Sequence, residues 1–95
     1  MINREGDRLL LQGPVTIATA AVLLTQTRAL LEPGVAVLDF KGVTEVDSAA
    51  VALALECLRE ARRRKFALSL ANLPEAMQHL AELYAVSELL QADPA

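Results

Sequence analysis

The sequence contains few cysteines, aromatic residues and glycines: one Cys, three Phe or Tyr and four Gly among 95 residues. The single cysteine, Cys57, excludes an internal disulfide framework and any multi-cysteine metal site. The glycines are dispersed along the chain, so a glycine-rich phosphate-binding loop is excluded as well. With so few aromatic residues, the core has to be built from Leu, Val and Ala.

Positive charge and long apolar runs are also scarce. Nine Lys and Arg against twelve Asp and Glu give a net charge of −3, which argues against nucleic-acid binding. The most apolar stretch, Val15–Leu24, contains two threonines and is shorter than the roughly 20 residues of a membrane-spanning helix. The polar segment Met1–Arg8 does not resemble a secretory signal. We therefore expect a cytoplasmic protein.

Hydrophobic residues are abundant, at 54% of the chain, which excludes intrinsic disorder. The length predicts one domain that spans residues 1–95. Strand-like and helix-like segments alternate, and this order is typical of parallel strands joined by right-handed crossovers. The predicted fold is an α/β sandwich of a four-stranded mixed sheet with three to four helices.

The element boundaries follow from apolar periodicity, glycines and prolines. Strands are predicted at Ile2–Glu5, Arg8–Gln12, Val35–Phe40 and Phe66–Leu70, and helices at 16–31, 48–64 and 74–84. Gly13-Pro14 is interpreted as a turn and residues 41–47 as a connecting loop. Thr16 is the predicted N-cap of the first helix, and Ser87 the predicted cap of a last turn that ends at Gln91.

Helical spacing predicts which side chains of the first two helices face the core. In the first helix the predicted inward residues are Ile17, Ala20, Ala21, Leu24 and Leu31, with Arg28 near the end of the stripe. In the second helix they are Val51, Ala54, Leu55, Leu58 and Ala61, whereas Ala49, Ala52 and Leu53 lie on the outer side with Glu56 and Glu60. We also expect Leu38 and Leu80 in the core, and Cys57 as a small core residue at the edge of the stripe.

Catalytic residues are sparse. A triad of Ser48, His79 and Asp47 is conceivable, but Asp47 is adjacent to Ser48 and no oxyanion-hole motif surrounds them. His79 is expected to be solvated on the polar side of the third helix. We therefore expect neither enzymatic activity nor a cofactor or metal.

The basic run Arg62–Lys65 ends the second helix, where positive charge complements the helix dipole. It could instead contact an acidic partner or anionic lipid headgroups.

Asp47-Ser48 begins the second helix. Either residue could cap it by accepting hydrogen bonds from the first free N–H groups. A serine exposed at this position is also suited to phosphorylation, because the helix N-terminus stabilises negative charge. The small residues that follow would let a partner approach the helix backbone closely.

The segments Val35–Asp39 and Val43–Leu53 resemble the strand and Asp-Ser/Thr helix start of STAS domains, the fold of anti-sigma-factor antagonists. Leu9–Thr16 is similar to their first long strand, and Leu80–Val86 to their last helix, most of all in MlaB-like members. Ala49-Ala50 stands where the family has Gly-Gly or Ser-Gly, which adds two Cβ atoms where a kinase or partner would approach. That difference weighs more against phosphorylation than against docking.

The resemblance implies a non-catalytic subunit that binds an MlaF-like ABC ATPase, beneath an MlaE-like permease and with an MlaD-like lipid-binding subunit. Such a subunit lies at the cytoplasmic side of the inner membrane, in phospholipid transport that maintains outer-membrane lipid asymmetry. The alternative is an anti-sigma-factor antagonist that is phosphorylated at Ser48 and binds an anti-sigma kinase. The expected partner-binding residues are Asp47, Ser48, Ala49, Ala52, Leu53 and Glu56.

Overall fold

The computed structural model of the chain describes residues 1–86 and 89–90. The elements are β1 (Ile2–Glu5), β2 (Arg8–Val15), α1 (Ala20–Leu30), β3 (Val37–Val46), α2 (Ser48–Arg63), β4 (Ser69–Ala71) and α3 (Glu75–Leu83). The predicted last turn depends on Ser87, which lies outside the described residues.

The sheet has the strand order β1-β2-β3-β4, in which β1 is antiparallel to β2 and the other neighbours are parallel. Gly6 makes the tight β1–β2 turn with φ of +61°. Because both crossovers advance the same way along the sheet, right-handed connections place α1 and α2 on one face. The helices also pack in order, α1 on α2 and α2 on α3. The predicted α/β fold with a four-stranded mixed sheet is confirmed.

Two strands are longer than predicted. β2 continues through Gly13 and Pro14 to Val15, and β3 continues through the predicted loop 41–47 as far as Val46. Irregularities in the β2–β3 register accommodate this, between Leu10 and Gln12 and again between Gly13 and Pro14. A proline without an N–H is tolerated at such a bulge, so Gly13-Pro14 bends the strand without ending it.

The first helix begins at Ala20, four residues later than the predicted Thr16. Residues 16–19 instead form a turn in which the N–H groups of Thr19 and Ala20 donate to the Thr16 carbonyl, at 3.0 and 2.8 Å. The Thr19 hydroxyl accepts from the Thr16 N–H at 3.0 Å. Thr19 is the N-cap residue of α1, although its side chain makes no capping hydrogen bond to the helix.

The buried face of α1 also differs from the prediction. Leu23 and Thr27 are its buried residues, whereas Ile17, before the helix, is 83% exposed and Ala21 is exposed. Thr27 can be buried because its hydroxyl donates to the Leu23 carbonyl at 2.7 Å. Apolar residues surround the start of this helix, so periodicity alone did not identify the buried face.

The core face of the sheet carries Leu9 and Leu11 of β2 and Leu38 and Phe40 of β3, all at most 1% exposed. From α2 the core receives Ala50, Val51, Leu53, Ala54, Cys57 and Ala61, and Glu60 is also buried. The prediction for Leu53 is wrong, since it is only 2% exposed. Leu55, Leu58 and Leu80 are half-buried at the margin of the core, in contact with it.

Glu60 lies on the buried side of α2, contrary to the prediction. A glutamate is expected to face solvent, yet the Glu60 side chain is only 7% exposed. Arg63 binds one of its carboxylate oxygens and Arg64 Nε the other, the latter at 2.7 Å. The hydrogen bonds from Arg63 and then Arg64 hold the pKa of Glu60 below its ordinary value. This paired carboxylate lies on the side of α2 that the sequence pattern assigned to solvent, together with the buried Leu53.

Cys57 is fully buried in the same stripe, as expected of a core residue. Burial raises the pKa of its thiol to about 12. The thiolate needed for nucleophilic or redox chemistry is therefore suppressed at neutral pH.

The opposite face of the sheet is held by a polar cluster around Asp39. Its carboxylate accepts from Arg8 Nη1 at 2.8 Å, the Lys41 N–H at 2.9 Å and Asn72 Nδ2 at 3.0 Å. Burial raises the pKa of Asp39, but hydrogen bonds from Asn72, Lys41 and Arg8 outweigh it and the net pKa is lowered. The cluster links β2, β3 and the residue that follows β4.

Candidate protein-docking site

Asp47 caps α2 and also binds the segment before α1. Its Oδ1 accepts the Ala49 N–H at 2.8 Å, and its Oδ2 accepts the Ile17 N–H at 2.9 Å. Of the two candidate caps, the structure therefore uses Asp47. Because both carboxylate oxygens bind backbone N–H groups, the residue positions two chain segments and is poorly suited to act as a base.

Ser48 is the first residue of α2 and is exposed. His79 lies on the exposed side of α3, with its Nε2 3.8 Å from Glu75 Oε1. Within residues 1–86 and 89–90, His79 makes no hydrogen bond to Asp47 or Ser48, so the structure does not assemble the conceivable triad.

An apolar trough of about 140 Å³ lies between α1 and α2. Its lining consists of Ala20, Ala21, Leu24, Ala49, Ala52, Leu53 and Glu56. We refer to this feature as the α1–α2 trough. Six of its lining residues are apolar, so it suits an apolar side chain of another protein better than a polar substrate.

The trough combines four of the six predicted partner-binding residues, Ala49, Ala52, Leu53 and Glu56. Leu53 contributes from within the core, so it is part of the wall and not an exposed contact. Asp47 and Ser48 lie at the N-terminal end of the same helix. The serine is therefore placed at the margin of the surface that the apolar residues form.

The α1 wall of the trough was missed by sequence reasoning, which assigned Ala20, Ala21 and Leu24 to the core. Just before α1, Ile17 adds a further apolar side chain that is 83% exposed. The sequence signal was the concentration of small and apolar residues at 17–24, more than one buried face can use.

Glu56 marks one end of the trough and is already paired. Its Oε2 accepts from Arg28 Nη2 of α1 at 3.2 Å, and its Oε1 from Arg59. The Arg28 contact bridges the two helices. It leaves the trough floor apolar, because the only carboxylate of the lining is engaged by guanidinium groups.

The Ala49-Ala50 pair has one surface member only. Ala50 is fully buried, whereas Ala49 is partly exposed in the trough wall. Compared with a helix that begins with Gly-Gly, this chain therefore presents one additional Cβ atom to a partner, not the two that were expected.

No cluster of three or more His, Cys, Asp or Glu is placed to hold a metal ion within the described ranges. None of the helices in that part of the chain is both long and apolar enough to cross a membrane.

Comparison with known proteins identifies the family and the fold of the chain. The family model described as "Mlab, STAS domain" matches residues 1–91. A search of curated proteins finds no match.

Solved structures show the same fold. A sulfate transporter family protein from Wolinella succinogenes aligns with a TM-score of 0.66 at 17% identity, over 88% of this chain and 70% of that one. The unphosphorylated anti-sigma factor antagonist SpoIIAA aligns at 0.64 and 17% identity, over 87% and 81%. A protein described as Mglu aligns at 0.55 and 26% identity, over 79% of this chain but only 19% of that one.

Proposed function

Since this chain belongs to the MlaB-type STAS domain family, we propose that it is a non-catalytic regulatory subunit that binds the MlaF-like ATPase of a phospholipid-transporting ABC system. In that assembly it lies on the cytoplasmic side of the inner membrane, with an MlaE-like permease and an MlaD-like lipid-binding subunit. The transport maintains outer-membrane lipid asymmetry.

The observation that carries the docking proposal is the α1–α2 trough. Its lining is apolar apart from Glu56, and Ala21 and Ala52 in it are exposed, so it leaves hydrophobic area in water that a partner would bury. Both helices contribute to it, and the Asp47 and Arg28 contacts hold them in place. A pre-organised surface loses little conformational freedom on binding.

The site chemistry supports a binding role over a catalytic one. Both oxygens of Asp47 bind backbone N–H groups, and the only cysteine of the sequence is buried with a raised pKa. Ser48 has no histidine or lysine hydrogen-bonded to it in the described part of the chain, so a general base for it is lacking there. ATP turnover is therefore expected only from the ATPase partner.

The test is co-purification of the MlaF-like ATPase with Ala52→Asp. Ala52 is exposed, so the variant should stay folded, with a free energy of unfolding within about 1 kcal/mol of the parent. Against an apolar partner the new carboxylate would be buried without a counter-ion, which is strongly unfavourable. We expect ATPase capture to fall at least roughly tenfold.

The matched control is Ala76→Asp, the same change at an exposed residue of α3 away from the trough. It should leave capture unchanged. If folded Ala52→Asp protein captures as much ATPase as the control, the α1–α2 trough is not the docking site.

The second candidate function is an anti-sigma-factor antagonist switched at Ser48. The fold similarity to SpoIIAA and the exposure of Ser48 favour it. The N-terminus of α2 would stabilise a phosphate there, whereas the adjacent Asp47 carboxylate would repel it.

This candidate is tested by incubating the protein and its Ser48→Ala variant with an anti-sigma kinase and ATP. Phosphate transfer lost in Ser48→Ala, together with stable binding to the kinase, would favour the antagonist. Capture of the ATPase with no phosphate transfer would favour the transporter subunit.

A further inference from the structure

A second groove lies on α2, toward its C-terminal end. Its lining is Leu55, Leu58, Arg59, Arg62 and Leu89, and its volume is about 140 Å³. No lining residue is shared with the α1–α2 trough. We refer to this feature as the arginine groove.

The walls of the arginine groove are leucines. Leu55 and Leu58 are half-buried and pack against the core. Leu89 is 55% exposed, although its neighbour Leu90 is only 3% exposed and anchors the segment in the core. The N–H groups of both residues donate to the Val86 carbonyl, at 3.0 and 3.2 Å. An apolar side chain is thus held at the surface beside a recess lined by two further leucines.

Two guanidinium groups complete the groove. Arg59 binds Glu56, while the neighbouring Arg63 and Arg64 both bind Glu60. Arg62 forms no ion pair with any residue of 1–86 or 89–90. Its planar group presents several N–H donors next to an apolar recess, a combination suited to a carboxylate attached to an aliphatic group.

We propose that the arginine groove binds an acidic–aliphatic segment of a protein partner. A carboxylate of that segment pairs with Arg62, and an aliphatic side chain beside it enters the recess between Leu58 and Leu89. This surface is separate from the α1–α2 trough, so it allows α2 to contact two partner elements at once.

The geometry favours a protein segment over a lipid surface. A recess of about 140 Å³ is filled by an inserted side chain, whereas a bilayer presents a broad surface. The adjoining cations Arg59, Arg63 and Arg64 are already matched by Glu56 and Glu60. Of the two arginines in the lining, Arg59 is therefore engaged by Glu56, and Arg62 is the one without an ion pair in the described ranges.

The experiment uses the full chain and two fluorescein-labelled helical peptides. Both carry a leucine, and one carries a glutamate four residues away on the same face where the other carries glutamine. Fluorescence anisotropy should show saturable binding of the glutamate peptide below about 1 mM. Arg62→Gln should weaken this binding roughly tenfold, the value of one charge-assisted hydrogen bond, and leave the weaker glutamine peptide unchanged.

The control is Lys41→Gln, which removes a positive charge from an exposed position of β3 outside the groove. It should bind the glutamate peptide like the parent. A third arm uses phosphatidylcholine vesicles that contain about one quarter phosphatidylglycerol.

Two results would overturn the proposal. The first is that Arg62→Gln binds each peptide as tightly as the parent does. The second is that neither peptide binds saturably; if vesicle binding is then lost in Arg62→Gln, the groove is assigned to lipid headgroups. Failure here leaves ATPase capture through the α1–α2 trough unaffected, since no residue is shared.

Discussion

The carboxylate of Asp47 accepts a hydrogen bond from the backbone N–H of Ile17, a residue 30 positions earlier, at 2.9 Å. The same carboxylate caps α2 through Ala49. One side chain therefore fixes the start of α2 against the turn that precedes α1. The backbone of Ile17 is held beside the first turn of α2 as a result.

Replacing Asp47 with Ala should lower the free energy of unfolding by about 2 kcal/mol. The helix loses its cap, and the Ile17 N–H loses its acceptor. Urea denaturation measures the change. Ser48→Ala is the control and should lie within about 0.5 kcal/mol of the parent, because Ser48 is exposed. Equal stability of the two variants would show that the Asp47 contacts contribute little.

Leu53→Ala should destabilise the protein by about 2–5 kcal/mol, because it creates a cavity in the core. Leu55→Ala removes the same atoms from a half-buried position two residues away and should cost clearly less. Denaturant midpoints of both variants provide the comparison. A larger loss for Leu55→Ala would contradict the burial pattern of α2.

The order of elements and the parallel crossovers could be predicted from local signals, namely apolar runs, glycines and prolines, and the cap of α2 could be narrowed to Asp47 or Ser48. The orientation of α2 could not. Its apolar residues surround most of the helix, and Glu60 was assigned to solvent by its charge. The partners that permit its burial, Arg63 and Arg64, lie in a run interpreted as a basic helix end. Side-chain pairing of this kind is a property of the folded state.

Lys65, the second residue after α2, adopts a left-handed conformation with φ of +64°. The Phe66 N–H donates to the Ala61 carbonyl at 3.0 Å, which is the hydrogen bond of a Schellman C-cap. Glycine adopts this conformation without a Cβ clash, so Lys65→Gly should raise the free energy of unfolding by up to about 1 kcal/mol. Arg62→Gly, within the helix, should lower it by about 1 kcal/mol. Thermal melts of both variants measure the change, and the melting temperature should rise for Lys65→Gly and fall for Arg62→Gly.

The lowered pKa of Asp39 makes part of the stability depend on pH. Its folded pKa lies below the unfolded value, so its contribution is complete above about pH 4 and is lost as the pH falls through the folded pKa. Asp39→Asn should therefore be less stable than the parent at about pH 7, and the difference should shrink at about pH 3. Urea denaturation at both values tests this, and a difference that grows on acidification would contradict it.

The candidate docking site could be predicted for α2 but not for α1. Ser48, Ala49 and Ala52 follow the cap and are small, so their exposure could be anticipated. The facing wall depends on how α1 is rotated, and in that rotation Leu23 and Thr27 are the buried residues. Its hydroxyl binds the Leu23 carbonyl within its own helix. A threonine looks polar in the sequence, and this local hydrogen bond is what permits its burial.

The trough between α1 and α2 is clamped beyond both of its ends. Asp47 holds the N-terminal side, and on the other side Arg64 Nη1 donates to the Leu31 carbonyl at 2.8 Å, just after α1. Helices fixed at two points cannot easily spread apart to admit a ligand. The encounter with a partner is then a single step, so the observed association rate should increase linearly with partner concentration and show no plateau. Substitutions in the trough should therefore change mainly the dissociation rate, which sets the lifetime of the complex.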